Sequence, residues 1–385
     1  MSLMNNPLES LGVLQHESVG TPPFTEAAYC RKLALNGQKH HLSVIVFSPA
    51  TLRPRSKTIK GYTLEGSQWV YREHKLPRLV YDRLTYTNAD QYIACRAACN
   101  EMKHLGVIWL GNGLRGKWDL YQSLSQDRAL SHILPTTSLY ESPKQLLHLI
   151  QRHQGSLFMK PHGGSQGRSV LSVHRIASSA HADSSSLADA TIRLHGRDAQ
   201  NRPIQREFTN TKDALKWIHQ FIAHRKYIIQ PYLTLYSHNK QPFDIRVLVQ
   251  KDERGRWNET GMAARVGDKD SVTSNLHGGG HACRAETFLT EQFGAQEAQQ
   301  LLSQITYYSQ YIPTAIEERH GRLVELGLDY GIDRDKRLWL LEANSKPGRS
   351  VFTHTGDREA STLAVELPIL YARYVWVRHL RRVCP

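Results

Sequence analysis

Cysteine is scarce in this chain and poorly arranged for chemistry. There are five, Cys30, Cys95, Cys99, Cys283 and Cys384, an odd number with no C-x-x-C pair. That argues against a disulfide framework and for a reducing compartment. Cys95 and Cys99 are four apart and can share a helix face, but no His or Cys stands close by, so they read as packing. Long apolar runs are also missing. The start, Met1 to Val13, has neither a basic segment nor an apolar stretch and does not read as a signal peptide. Leu363 to Val377 is interrupted by Glu366, Pro368 and Arg373, which excludes it as a membrane span. A cytoplasmic protein is expected. The phosphate-loop pattern G-x-x-x-x-G-K-[ST] is absent, as are internal repeats and a distinct Ser/His/Asp nucleophile set.

Acidic residues are in deficit. Lys and Arg number 49 against 35 Asp and Glu, a formal net charge of +14. Such a surface attracts polyanions, nucleotides among them, or is simply basic with no dedicated partner. The basic residues are scattered and not blocked, so no specific nucleic-acid partner is expected. The 385 residues suit two or three lobes, and 40% apolar with 22% charged residues is ordinary for a globular chain.

The order of elements begins with short β-branched runs at Leu11–Leu14 and Leu42–Phe47, which read as buried strands flanking a helix over Phe24–Asn36, a βαβ opening. Trp69–Tyr71 and Leu79–Tyr81 read as strands of the same lobe. A helix over Ala89–Leu105 and a strand over Val107–Leu110 follow, and the GNGLRGK run at 111–117 marks a seam. Beyond it, helices are expected over Trp118–Ile133, Pro143–His153, Thr211–His224 and Glu291–Glu318, the last broken at Pro313. Strands are expected over Ser156–Lys160, Tyr227–Gln230, Phe243–Gln250 and Gly261–Val266, and as a pair within Leu323–Asn344. Residues 177–208 read as hairpins and loops, and Glu359–Arg382 as mostly helical.

Three segments carry chemistry. In LVELGLDYGIDRDKRLWLLEANSKPG, Glu342 and Asn344 are two apart and share a strand face. A two-residue turn at Asp335–Lys336 sets Asp329 directly opposite Glu342. Three oxygen-bearing side chains then converge, a set suited to Mg²⁺, which takes few carboxylates plus phosphate and water. The alternative is three ordinary polar residues on a solvated face. In the second segment, Lys160 precedes the Gly-rich stretch His162–Ser169, whose backbone N–H groups can cradle an anion beside the lysine charge. In the third, Asp244 and Arg246 share the polar side of an apolar strand, with Arg265 on its neighbour, so both guanidiniums can reach phosphate oxygens. The loop Ser274–Gly280 is polar and Gly-rich and reads as a lid.

Taken in this order, the segments resemble the ATP-grasp superfamily. The DIRVLV, SNLHGGG and LLEANSKPG stretches are similar to the branch containing ribosomal-protein glutamate ligases. VIVFSPATL, GYTLEGSQWVYRE, RGKWDLYQSLSQD and HILPTT resemble its spore-coat-associated YheC/YheD-type group. The resemblance implies an α/β (α+β) ATP-grasp fold, with residues 1–115 as an N-terminal pre-ATP-grasp lobe and 116–385 as the ATP-grasp domain. It implies ATP and Mg²⁺ or Mn²⁺ as cofactors and ADP-forming ligation of an unknown carboxylate to an amine or similar nucleophile through an acyl phosphate. A small-molecule kinase, or an ATP-binding spore-coat protein without turnover, are the alternatives. It also implies deposition on the spore coat, with coat proteins as partners. Residue by residue, Lys117 and Lys160 match phosphate-binding lysines, and Gly163–Ser169 the phosphate-covering loop, with Gly163, Gly164, Ser165, Gln166 and Gly167 as its nucleotide-binding residues. Gln230, Tyr232 and Leu233 match the adenine-binding hinge strand, where many relatives carry an acid in place of Gln230. Arg246 and Arg265 match phosphate-side arginines with a catalytic role. Asn275 joins the nucleotide set, and Asp329, Glu342 and Asn344 match the metal ligands.

Overall fold

A computed structural model describes residues 9–86, 89–164, 167–176, 190–269, 274 and 279–380. The chain builds a mixed α/β fold of three sheets. The first carries β1 (Glu9–Leu14), α1 (Ala27–Lys39), β2 (Leu42–Phe47), β3 (Thr58–Glu65), β4 (Gln68–Lys75), β5 (Leu79–Asp82), α2 (Ala89–His104) and β6 (Ile108–Trp109). Its order is β4-β3-β2-β1-β5-β6. β1 lies parallel to β2 and β5, so the expected βαβ opening is present. The short Trp69–Tyr71 strand is the second arm of a hairpin, whose first arm, β3, the sequence reading passed over.

The second sheet follows α3 (Lys117–Ser125) and contains β7 (Ser138–Leu139), β8 (Ser156–Pro161), β9 (Val170–Ile176), β10 (Thr191–Arg197), β11 (Pro203–Phe208) and β12 (Tyr227–Pro231). Its helices are α4 (Pro143–Arg152) and α5 (Thr211–Ile222). Both are well started. Ser142 accepts the Gln145 N–H at 3.2 Å, with Pro143 in the first turn, and Asn210 accepts the Asp213 N–H at 2.9 Å. Leu146, Ile150, Ala214 and Ile218 then pack against Leu157, Met159, Leu171 and Leu194 of the sheet. Alternation sends Phe158, Lys160 and Val170 to the opposite face. The helix expected over Trp118–Ile133 ends at Ser125. Asp127 accepts the Ala129 N–H at 2.8 Å and turns the chain there.

The third sheet holds β13 (Phe243–Lys251), β14 (Trp257–Val266), β15 (His281–Arg284), then, after α6 (Ala285–Phe293) and α7 (Ala295–His320), β16 (Glu325–Ile332) and β17 (Leu338–Asn344). Its order is β15-β14-β13-β16-β17. The expected break at Pro313 is not there. α7 runs through that proline, and the interruption falls at Gly294, whose φ of 82° only glycine adopts freely. Proline costs a helix interior about 3 kcal/mol. Here Leu301, Ile305, Ile312 and Ile316 bury against Val247, Val249 and Leu328, and that packing outweighs the local cost.

The C-terminal α8 (Ser350–His354) and α9 (Arg358–Val375) close the molecule. α9 puts Val365, Ile369 and Tyr371 into the core of the first sheet, beside Leu33 and Val44, so the chain ends by covering the lobe with which it began. No helix among the described residues is long and apolar enough to cross a membrane. The four described cysteines are free.

One buried carboxylate joins the first and third sheets. Glu325, with no exposure, accepts from Arg83 at 3.0 Å, Gln250 at 2.9 Å, Tyr81 and Arg349. Arg83 also clamps Glu26, at 2.6 and 3.0 Å. Removing one member of a buried ionic set leaves its partners charged and unpaired, at about 3–5 kcal/mol. Glu325→Ala is expected to lower unfolding stability by that amount, read as a lower urea midpoint at unchanged m value. A loss under about 1 kcal/mol would show that the arginines find water or other partners.

Candidate functional site

Strand register alone assembles a row of charges on one face of the third sheet. Arg265 of β14 pairs directly with Asp244 of β13, and Arg246 of β13 with Asp329 of β16. Asp329 in turn faces Glu342 of β17, and Gly327 faces Asn344. The Asp329–Glu342 pairing is the one expected, reached by a different route. The turn spans Asp333 to Arg337, pairs near it run one residue out of the expected register, and a bulge between Asp329 and Tyr330 restores it.

Four of these side chains are almost fully buried. Arg265 donates to both Asp244 oxygens, at 2.7 and 2.6 Å, and reaches Asp329 at 3.0 Å. Arg246 grips Asp329 with two N–H groups, one at 2.9 Å, and Ser274 donates to Asp244. Burial favours a neutral Asp329, but Arg246 and Arg265 outweigh it and hold the carboxyl down at about 2. Gly327 makes room for this. A Cβ there would lie 2.7 Å from Pro347 and 3.5 Å from the Arg246 guanidinium.

The polar face of the second sheet stands opposite. Lys160 donates to the Leu341 carbonyl at 3.1 Å, which links β8 to β17. Removal from water pushes its ammonium down to about 8, against the pull of Glu342. Lys117, at the start of α3, reaches Glu342 at 3.2 Å and the Gly164 carbonyl at 2.6 Å. His162 fixes that helix start. Its carbonyl accepts the Lys117 N–H at 2.9 Å and its Nδ1 the Trp118 N–H at 3.3 Å.

Between the sheets lies a cavity of about 520 Å³, a size usual for small-ligand sites. Of the residues singled out from the sequence, Lys117, Lys160, Gly164, Gly167, Gln230, Tyr232, Leu233, Arg246, Arg265, Asp329, Glu342 and Asn344 all line it. Gly163 is exposed and is not on its wall. Ser165, Gln166, Asn275 and His277 lie outside the described residues. The sequence reading gave no separate role to Arg168, inside the Gly-rich stretch, or to Lys346, inside the LLEANSKPG segment. It also missed Glu26, Arg83 and Thr85, which the first lobe brings to the far end. No local pattern marks those three, because only the packing of two lobes carries them there.

Two carboxylates and an amide oxygen, set on neighbouring strands, form a hard-oxygen donor set of the kind Mg²⁺ takes, and phosphate and water ordinarily complete its shell. The residues present therefore fit such an ion. The packing of His162 against Gly116 yields a test. A Cβ on Gly116 would sit 1.9 Å from His162 Nε2. Gly116→Ala is expected to displace the imidazole, move Lys117 and weaken nucleotide binding roughly tenfold while the protein stays folded. Unchanged affinity by calorimetry would show that the His162 clamp does not set the position of Lys117.

The chain is 29% identical over 342 residues to the endospore coat-associated protein YheC of Bacillus subtilis (strain 168), covering 88% of this chain and 90% of that one. Among solved structures, D-cycloserine synthetase DcsG superposes with a TM-score of 0.53 at 12% identity, covering 95% and 99% of the two chains. An ADP complex of N5-carboxyaminoimidazole ribonucleotide synthetase gives 0.51 at 10% identity, covering 94% and 77%. These two show the fold. The model of the YheC/D-like ATP-grasp family matches residues 106–375, more than half of the sequence, and the chain belongs to that family.

Proposed function

We propose that the protein is an ATP- and Mg²⁺-dependent ligase that activates a carboxylate as an acyl phosphate and passes it to an amine or similar nucleophile, forming ADP. The observation that carries this reading is the convergence on one cavity of Lys117, Lys160, Arg246 and Arg265 with Asp329, Glu342 and Asn344. Phosphoryl transfer needs alignment and charge neutralisation more than a protein nucleophile, and this wall offers both. ATP-grasp proteins use ATP with a divalent metal, and the family match supports the same here. In this reading residues 1–115 are the pre-ATP-grasp lobe and 116–385 the ATP-grasp domain. The coat association in the name of the Bacillus relative supports deposition at a spore coat, among coat proteins.

Lys160 and Lys117 neutralise phosphate oxygens, and the β12 backbone with Tyr232 and Leu233 receives the base. Asp329, Glu342 and Asn344 would hold the ion, which would supply Lewis-acid neutralisation of phosphate charge there. Asp329 Oδ2 takes an N–H from both Arg246 and Arg265 while Oδ1 takes one from Arg246, so a cation at Asp329 would share the carboxylate with the guanidiniums. The same arginines stand where charge on a transferred phosphoryl group would develop.

Two tests follow. Lys160→Ala is expected to weaken ATP binding even in EDTA, and Glu342→Gln to remove chiefly the Mg²⁺-dependent part. If both bind ATP like the parent with Mg²⁺ present, the site is elsewhere. A screen of carboxylates and amines scored by ADP release then separates turnover from binding alone, and a phosphorylated product that accumulates without a nucleophile would identify a kinase. The second test is pH. Lys160 carries its charge below its pKa of about 8, so ATP affinity is expected to decline as pH rises above about 8. Lys160→Arg, charged throughout, should abolish the decline. A parent profile that stays flat to pH 9.5 would count against Lys160 as a phosphate contact.

A further inference from the structure

At the base end of the cavity the hydrogen bonding is one-directional. Thr137 is buried, at 5% exposure. β7 pairs with β12 through Ser138↔Ile229 and Leu139↔Ile228, and the same register carried one residue further sets Thr137 beside Gln230. The Thr137 hydroxyl donates to the Pro135 carbonyl at 2.8 Å. That carbonyl belongs to a buried residue and can only accept. With its one proton committed, Thr137 Oγ1 can only accept from its other neighbour, and Gln230 Nε2 donates to it at 2.8 Å. Amide orientation cannot be read from atom positions alone, but here the proton count decides it. Turned over, Gln230 would set its oxygen against an oxygen with no proton to give, or draw the proton away and strip a buried carbonyl of its donor. No described protein group donates to Gln230 Oε1, and Gln230 is part of the cavity wall.

We propose that Thr137 sets which nucleobase the cavity accepts, by locking Gln230 with its carbamoyl oxygen turned toward the base. A fixed acceptor at that point favours a purine bearing an exocyclic amino group at C6 and opposes one bearing a carbonyl oxygen there. Gln230 thus acts as a pure acceptor, like a carboxylate, without carrying its charge. This inference rests on the reading of the cavity as an ATP site along β12. Thr137 is a positioning residue, acting through Gln230.

The test compares ATP with inosine triphosphate, which exchanges the 6-amino group for a carbonyl and leaves position 2 unsubstituted. Binding to the full-length protein is measured by calorimetry with Mg²⁺. In Thr137→Val, which keeps the shape and loses the hydroxyl, Gln230 is free to turn. The preference for ATP is expected to fall about tenfold, the size set by one buried acceptor losing its donor, mainly through tighter binding of inosine triphosphate. Thr137→Ser, which keeps the hydroxyl, should retain the parent ratio. Gln230→Glu accepts in either orientation and should retain the preference, and adding Thr137→Val to it should leave that ATP-to-inosine-triphosphate ratio unchanged. Gln230→Met should lose the preference, and this arm decides the matter if Thr137→Val does not fold. Equal weakening of both nucleotides in Thr137→Val would mean a purely structural role and overturn the proposal. So would an unchanged ratio in Thr137→Val or Gln230→Met while ATP still binds. A parent that binds neither nucleotide would instead overturn the ATP site itself, and this inference with it.

Discussion

Four charges buried in the middle of a sheet must neutralise one another, and much of the site follows from that requirement. Asp244, Arg246, Arg265 and Asp329 lie on adjacent strands in direct register, and each is almost fully buried. A slip of one residue in β13 would send Asp244 and Arg246 into the apolar layer of Ile245 and Val247 and strand two opposite charges. The ion pairs therefore specify register at least as much as they stabilise. The same register brings Glu342 across from Asp329. Registry and site geometry are here one constraint.

A second ionic set, around Glu325, does for the lobes what the first does for the strands. Glu325 opens β16, while Tyr81 and Arg83 come from the end of β5, so their bonds fix the first sheet against the third. Arg83 then holds Glu26 at the cavity wall. Burial opposes ionisation of Glu26, but Arg83 prevails and keeps its carboxyl below the usual range. The far end of the cavity is thus charged, and its position is tied to the packing of two lobes.

What was legible in the sequence was what has period two. The faces of β13, β16 and β17, and hence the placing of Arg246, Asp329, Glu342 and Asn344, follow from alternation. The opposition of Asp329 and Glu342 was also legible, although the turn that produces it was not. A longer turn and a bulge cancel, and nothing local in DRDKR announces that cancellation. Pro313 shows the opposite error. A local rule forecast a break, and burial along 26 residues of α7 overrode it. The role proposed for Thr137 was not legible, although HILPTT reads as family-like. That role lies in a proton donated to Pro135, and no spacing rule encodes the direction of a hydrogen bond.

The cavity has two ends of different origin, and this bears on how one fold serves different products. The end formed by β8, β12, β13, β16 and β17 is made of strand faces, with positions fixed by backbone pairing. The other end is made of Glu26, Arg83 and Thr85 of the first lobe with Lys346 and Gly348 of the loop beyond β17 and Ser350 at the start of α8. Lys346 is pinned there by Asp82 at 2.9 Å and the Leu84 carbonyl at 2.6 Å. Loops tolerate change that strand faces do not, because no ladder or register depends on them. In the ligation proposed above, the choice of acid and acceptor would fall to this loop-built end, where Arg83 holds Glu26 and Asp82 holds Lys346.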